Sequence, residues 1–200
     1  MLSTRADGME TSDKYNLRAR VRELIRAVTP EQRATLSRSL CDNALPQPLW
    51  QNSRAVLFFA PLPDEPDLTP LLDAAWREGK TVALPRYDSA TGQYSAAVIR
   101  SAAELSPGRF GVLEPASNCP SHSLNQLDLV FVPGLAFALN GARLGRGKGF
   151  YDRLLSEVRG HKCGVAYEVQ VIVAVPEEPH DVRVDSILTP AGWRPCHRAD

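Results

Sequence analysis

The chain of 200 residues carries 23 basic and 23 acidic side chains, a formal net charge of zero, and 44% of it is hydrophobic. That length and apolar fraction suit one α/β domain with a core of its own. The even charge balance argues against a protein devoted to nucleic acid, which usually carries a basic excess.

Cys41, Cys119, Cys163 and Cys196 are scattered, with no Cys-x-x-Cys pair, so a zinc site or a disulfide framework is not expected. Reduced thiols in the cytoplasm are the simpler reading. The first 13 residues are polar and lack the apolar core of a signal peptide. No stretch approaches the roughly 18 apolar residues of a membrane helix. The expectation is a soluble cytoplasmic monomer with neither membrane nor nucleic acid as partner.

Residues 1–10 read as a disordered lead, and residues 11–200 as a single domain. Thr11, Ser12 and Asp13 are suited to capping a helix. Leu17, Val21, Leu24, Ile25 and Val28 follow with helical spacing, and Lys14, Arg18 and Arg22 form a basic ridge on one face. Thr29-Pro30-Glu31-Gln32 opens a second helix by a capping box, running to about Asn43. Ala55–Phe59 is a buried strand, followed by the loop Pro61–Asp67 and a helix from Leu68 to Glu78 that Gly79 ends. Thr81–Leu84 is a strand stopped by Pro85. Residues 88–126 are loop-rich, with one strand near Tyr94–Ile99. Leu127–Val132 is a strong buried strand stopped by Pro133-Gly134. A helix from Phe150 to Val158, a strand from Lys162 to Tyr167 and a last strand over Val184–Leu188 complete the chain. Strands alternate with helices, which predicts a three-layer Rossmann-like fold whose mainly parallel sheet is flanked by helices. Ligands of such sheets bind beyond the carboxyl ends of the strands.

One segment stands at such an end. Gly141, Gly145, Gly147 and Gly149 are interleaved with Arg143, Arg146 and Lys148, and a helix follows. Glycines let a backbone approach a ligand and turn its amides toward it; the basic side chains and the helix start add positive potential. These are the requirements for holding a polyphosphate. The P-loop pattern fails, because Lys148 is followed by Gly149 and its first glycine would be Ala142. The dinucleotide fingerprint fails at Phe150. On spacing alone, a phosphate loop, a solvated basic turn and an RNA-binding loop all stay open.

The wider pattern is more specific. Pro133-Gly-Leu-Ala-Phe137 and Gly141-x-Arg143-Leu-Gly-Arg-Gly-Lys-Gly-Phe-Tyr-Asp152 closely resemble the signature of the 5-formyltetrahydrofolate cyclo-ligases, also called methenyltetrahydrofolate synthetases. Lys14-x3-Arg18, Asp64-Glu65, Leu84-Pro-Arg86, Phe110-Gly-Val-Leu-Glu-Pro115, Ala166-Tyr-x-x-Gln170 and His180-Asp-Val-x-Val-Asp185 extend the resemblance in the family's order. It implies an ATP-dependent enzyme that converts 5-formyltetrahydrofolate to 5,10-methenyltetrahydrofolate with magnesium, releasing ADP and phosphate. It implies that the formyl oxygen takes the γ-phosphoryl group and that folate N10 then closes the ring. No protein nucleophile is needed; catalysis is positioning and charge neutralisation.

The resemblance also assigns residues. Lys14, Arg18 and the run Arg143, Leu144, Gly145, Arg146, Gly147, Lys148, Gly149, Phe150 and Tyr151 would bind ATP, with Arg146 and Lys148 stabilising the transferring phosphoryl group. Asp152 and Asp181 would hold magnesium, with Asp185 as a nearby competitor. Glu65 would accept hydrogen bonds from the pterin, and Ala60, Tyr87, Phe110 and Phe150 would line the folate site. The chain departs from the family pattern at Ala138, where Asp is common, and at Phe59 and Phe150, where Tyr is usual. Pro66 and Leu68 alter the loop after Glu65.

Overall fold

A computed structural model describes the backbone of residues 4–197, and side chains from residue 13 onward except that of Phe110. The chain opens with α1 (Thr4–Arg26), α2 (Pro30–Ala44) and α3 (Pro48–Asn52). Then come β1 (Ala55–Leu57), α4 (Thr69–Arg77), β2 (Thr81–Asp88), β3 (Gln93–Val98), β4 (Leu105–Pro107), β5 (Leu113–Pro115) and β6 (Ser121–His122). The second half holds β7 (Leu129–Pro133), β8 (Ala136–Ala138), β9 (Arg143–Leu144), α5 (Phe150–Ser156), β10 (His161–Val165), β11 (Val171–Ile172), β12 (Ser186–Thr189) and β13 (Gly192–Pro195).

The main sheet has eight strands in the order β13-β12-β10-β7-β1-β2-β3-β6. The run from β12 through β10, β7 and β1 to β2 is parallel, and antiparallel strands close both edges. Side chains alternate between two cores, as the strand period of two requires. Val56, Leu129, Phe131, Cys163 and Val165 face α2, α3 and α4 through Leu40, Trp50 and Leu71. Leu57, Val130, Val132 and Ile187 face α5 through Leu154 and Leu155. Those are the three layers expected from the sequence.

Several boundaries differ from the sequence reading. Helix α1 begins at Thr4, so residues 4–10 are helical rather than a disordered lead, and Thr11, Ser12 and Asp13 lie inside the helix instead of capping it. Ser, Thr and Asp in a helix interior cost only fractions of a kcal/mol each, about 0.7 at most, so good caps need not act as caps. Residues 1–3 lie outside the described residues. Leu24 is 41% exposed, while Val21 and Ile25 are buried. Strand β2 runs through Pro85 to Asp88. The Ala83 carbonyl accepts from Phe58 N–H on the β1 side, and by the two-residue alternation Pro85 faces that side too, where β1 has already ended. Its missing N–H therefore costs no ladder bond. The edge strand β13 and the short helix α3 were not anticipated. The capping box of α2 forms as expected, with Thr29 Oγ1 accepting from Gln32 N–H at 3.3 Å. All four cysteines are free thiols.

A second, three-stranded sheet, β11-β8-β9, sits beyond the end of β7. Gly164 on β10 is what lets the two sheets approach. A Cβ there would lie 2.5 Å from the Phe137 ring, and Phe137 is fully buried. Gly164→Ala is expected to cost about 1–3 kcal/mol by overpacking. It should appear as a lower urea midpoint with an unchanged slope.

Candidate active site

The site begins with how α1 docks. Val21 and Ile25 pack against Leu135, Ala136, Ala138, Ala142 and Leu144 of the small sheet. One turn earlier on that face, Arg18 Nε donates to the Gly145 carbonyl at 3.0 Å, and its guanidinium lies over Gly147. Gly147 has φ +98°, in the region that favours glycine. Another turn earlier, Lys14 is 7% exposed, with its ammonium 2.6 Å from Asp181 Oδ2 and 3.4 Å from Glu178 Oε1. The basic ridge is real at Lys14 and Arg18, whose cations meet the glycine loop and the segment before β12.

The loop between β9 and α5 is anchored at its root. Leu135 N–H donates to the Leu144 carbonyl, and Ala138 N–H to that of Ala142, closing a β8–β9 hairpin. Gln170, fully buried, donates from Nε2 to the carbonyls of Gly134 and Leu135 and so fixes the turn after β7. From β9, Arg143 reaches α5: Nη2 donates to Asp152 Oδ1 at 2.6 Å, and the guanidinium lies over the Tyr151 ring at 5.9 Å. Its Nε is buried without a hydrogen-bond partner. Helix α5 spans seven residues and has no side-chain cap bond, so its first N–H groups are not taken up by a capping side chain.

Loop, α1 and the sheet end surround a cavity of about 480 Å³. Its lining includes Lys14, Arg18, the whole run from Arg143 to Asp152, and Asp181. Ala60, Glu65, Tyr94, Val112, Leu113 and Glu114 line it too. Arg146 ties the loop to Asp64 and Glu65, with Nε donating to Glu65 Oε1 at 3.0 Å and Nη2 to Asp64 Oδ1 at 2.7 Å. Burial raises the Glu65 carboxyl above its ordinary value; Arg146 and the Leu62 N–H offset this only in part. For Asp181 burial acts upward too, but the bond from Lys14 and the Glu178 N–H carry it below the usual carboxylate value. Burial holds Tyr151 well above an ordinary phenol, and raises Tyr94 to about 12, so both stay neutral donors.

The wall beside Glu65 is aromatic. Phe150 packs edge-on against Tyr87 and Tyr94, with centroids at 5.7 and 5.4 Å, and Arg153 covers its face at 5.2 Å. Tyr87 backs this wall and is not among the cavity-lining residues, a departure from its expected role. Its cross-strand partner Tyr94, on the same face of the sheet, takes the lining position instead. The side chain of Phe110 lies outside the described residues. Asp185 accepts from the Lys162 N–H at 2.9 Å, serves the start of β12 and stays out of the cavity lining. Asp152 and Asp181 both line it, and Val182 N–H reaches Asp152 Oδ1 at 3.4 Å. The sequence reading missed Tyr94, Glu114, Glu178 and His180. Glu114 is 7% exposed and accepts from the N–H groups of Tyr87 and Arg109. For Tyr94 and Glu114 the signal was available, as β2–β3 pairing and as the quoted Phe110–Pro115 motif.

Comparison with known proteins shows the family. The family model described as the 5-formyltetrahydrofolate cyclo-ligase family matches residues 10–190. The mouse 5-formyltetrahydrofolate cyclo-ligase is 30% identical over 194 residues, covering 88% of this chain and 93% of the relative. The Escherichia coli K12 protein of the same name is 30% identical over 176 residues, covering 86% and 97%. Among solved structures, the 5,10-methenyltetrahydrofolate synthetase of Aquifex aeolicus superposes with a TM-score of 0.84 at 35% identity, covering 94% of each chain. With its fold, its glycine loop and its match over nearly the whole length, the chain belongs to the 5-formyltetrahydrofolate cyclo-ligase family.

Proposed function

We propose that this chain uses ATP to cyclise 5-formyltetrahydrofolate to 5,10-methenyltetrahydrofolate, with release of ADP and phosphate. The observation that carries the reading is one cavity lined by two unlike sets of side chains. One set is Lys14, Arg18, Lys148 and the glycine loop; the other is Glu65, Tyr94 and Phe150. The first suits a polyphosphate, and the second a flat heterocycle with N–H donors. One chain supplies both sets, so a monomer suffices.

In the first step the formyl oxygen of the substrate attacks the γ-phosphorus of ATP. The bond from that phosphorus to the β-phosphate oxygen breaks, and ADP leaves. In the second, N10 attacks the activated carbon, phosphate departs and N10 loses its proton. Neither step needs a protein nucleophile. Lys148, on the glycine loop, is assigned to the charge on the transferring group. Arg18 fixes the loop through Gly145, and Arg146 holds the Asp64–Glu65 turn against it. Arg146 is thereby directed to the folate as well as to phosphate. Glu65 is assigned to the pterin N–H groups.

The carboxylates of Asp152 and Asp181 line the same cavity, and Glu178 joins them there. Donor atoms of Glu178, His180 and Asp181 lie within 4.8 Å of one another. A set dominated by carboxylate oxygens fits magnesium. Bound there, magnesium would neutralise charge on the β- and γ-phosphates. Among the described residues no helix is long and apolar enough to cross a membrane, and the reaction is expected in the cytoplasm.

Methenyltetrahydrofolate absorbance should appear only when ATP, magnesium and 5-formyltetrahydrofolate are all present. Lys148→Ala should lower kcat/KM by about 10²- to 10³-fold, the range for losing one transition-state donor. Binding without ADP release, measured by calorimetry across magnesium concentrations, would turn the reading into a binding protein.

Glu65→Gln gives a second test. A carboxyl raised on folding contributes stability below its unfolded value of about 4.3 and loses it as pH rises through the folded value. Replacing it should therefore raise the melting temperature relative to the parent chain at pH 7 more than at pH 4. The same variant should raise KM for the folate and leave KM for ATP nearly unchanged.

A further inference from the structure

Both carboxylates assigned to the metal are already held by buried cations. Lys14, 7% exposed, lies 2.6 Å from Asp181 and 3.4 Å from Glu178. Arg143, also 7% exposed, lies 2.6 Å from Asp152. His180 adds its Nε2 at 3.2 Å from Glu178 and 3.9 Å from Asp181. Three carboxylates thus face two buried cations and leave little net negative charge for a dication. Hard cations bind carboxylate oxygens at roughly 2.0–2.6 Å, and one oxygen each of Asp181 and Asp152 is already held at 2.6 Å by Lys14 and Arg143.

We propose that the divalent cation binds here only together with the nucleotide polyphosphate, because Lys14 holds Asp181 until phosphate oxygens take over its ammonium. The exchange keeps every charge paired. Asp181 passes from ammonium to metal, and the ammonium passes from carboxylate to phosphate. Arg143 differs in kind. Its guanidinium is wedged between Pro133, Tyr151 and Asp152, so it stays and positions one Asp152 oxygen, leaving the other for the metal. Lys14 is the exchanging group because it sits on a single-bonded, flexible stem at the cavity face. This inference rests on the metal and ATP assignments above.

Mn2+, a spectroscopic stand-in for magnesium, tests it by calorimetry on the full chain. Titrated alone, Mn2+ should bind the parent chain weakly. A non-hydrolysable ATP analogue should bind about 5- to 150-fold more tightly with Mn2+ than with a chelator, the usual range of linkage between sites. Lys14→Gln should tighten Mn2+ binding without nucleotide by at least about fivefold and shrink the coupling. Circular dichroism checks that the variant is folded, and the parent-chain arms stand without it. Mn2+ binding to the parent chain as tight without nucleotide as with it would overturn the proposal, as would a folded Lys14→Gln chain with unchanged Mn2+ affinity. If Asp152→Asn and Asp181→Asn leave the ternary complex untouched, the metal assignment itself has failed rather than the coupling.

Discussion

A buried ammonium must meet a carboxylate, and that rule joins the two ends of this chain. Lys14 and Asp181 are separated by 167 positions in sequence and by 2.6 Å in space. Leaving either partner buried alone would cost about 3–5 kcal/mol, so α1 and the segment before β12 are held in one arrangement. Arg143 and Asp152 do the same across the glycine loop, from β9 to α5. The ion pairs are weak evidence of net stability. Replacing them by packed apolar groups is often neutral or better. Their presence marks a place where the fold keeps charge for use.

The small sheet turns that constraint into a site. Its apolar face receives Val21 and Ile25 of α1, and its hairpin carries the loop. Because α1 rises about 5.4 Å per turn, the residues one and two turns before Val21 land beside the loop and then beyond it. Arg18 and Lys14 are those residues. Hydrophobic packing at one end of the helix therefore sets where its cations reach at the other. Gln170, placed by the short turn after β10, pins the root of the same hairpin. No part of this platform belongs to the main sheet, yet Gly164 seats it against β10.

The three-layer plan was legible because it rests on period and punctuation. Continuous apolar runs gave β1, β7 and β10, and capping chemistry gave α2. The glycine loop was legible as a basic, glycine-rich turn at a strand end, and the family pattern named the residues that gather around it in the cavity. What escaped notice was pairing. Nothing local in Ala136–Ala138, Arg143–Leu144 or Val171–Ile172 marks a strand, because each is only two or three residues long and is stabilised by its neighbours. Tyr87 looked like a lining residue and Tyr94 did not, although the two are cross-strand partners on one face and Tyr94 is the one that reaches the cavity. Arg86, part of the quoted motif, donates to the carbonyls of Ala116 and Cys119 and so serves the fold. A motif identifies residues that matter without saying whether they touch a ligand.

The departures from the family pattern can be read in the same terms. Ala138 is 1% exposed on β8, inside the apolar cluster that receives α1. A carboxylate there would need its own buried partner, whereas alanine lets α1 settle with none. That change belongs to the platform and not to the chemistry. Phe150 is different, because it lines the cavity. Its ring keeps the edge-on contacts with Tyr87 and Tyr94, each pair worth about 0.5–1.5 kcal/mol beyond burial. What is lost is a hydroxyl at that point of the wall. The polar side chains of Glu65, Tyr94 and Glu114 line the same cavity.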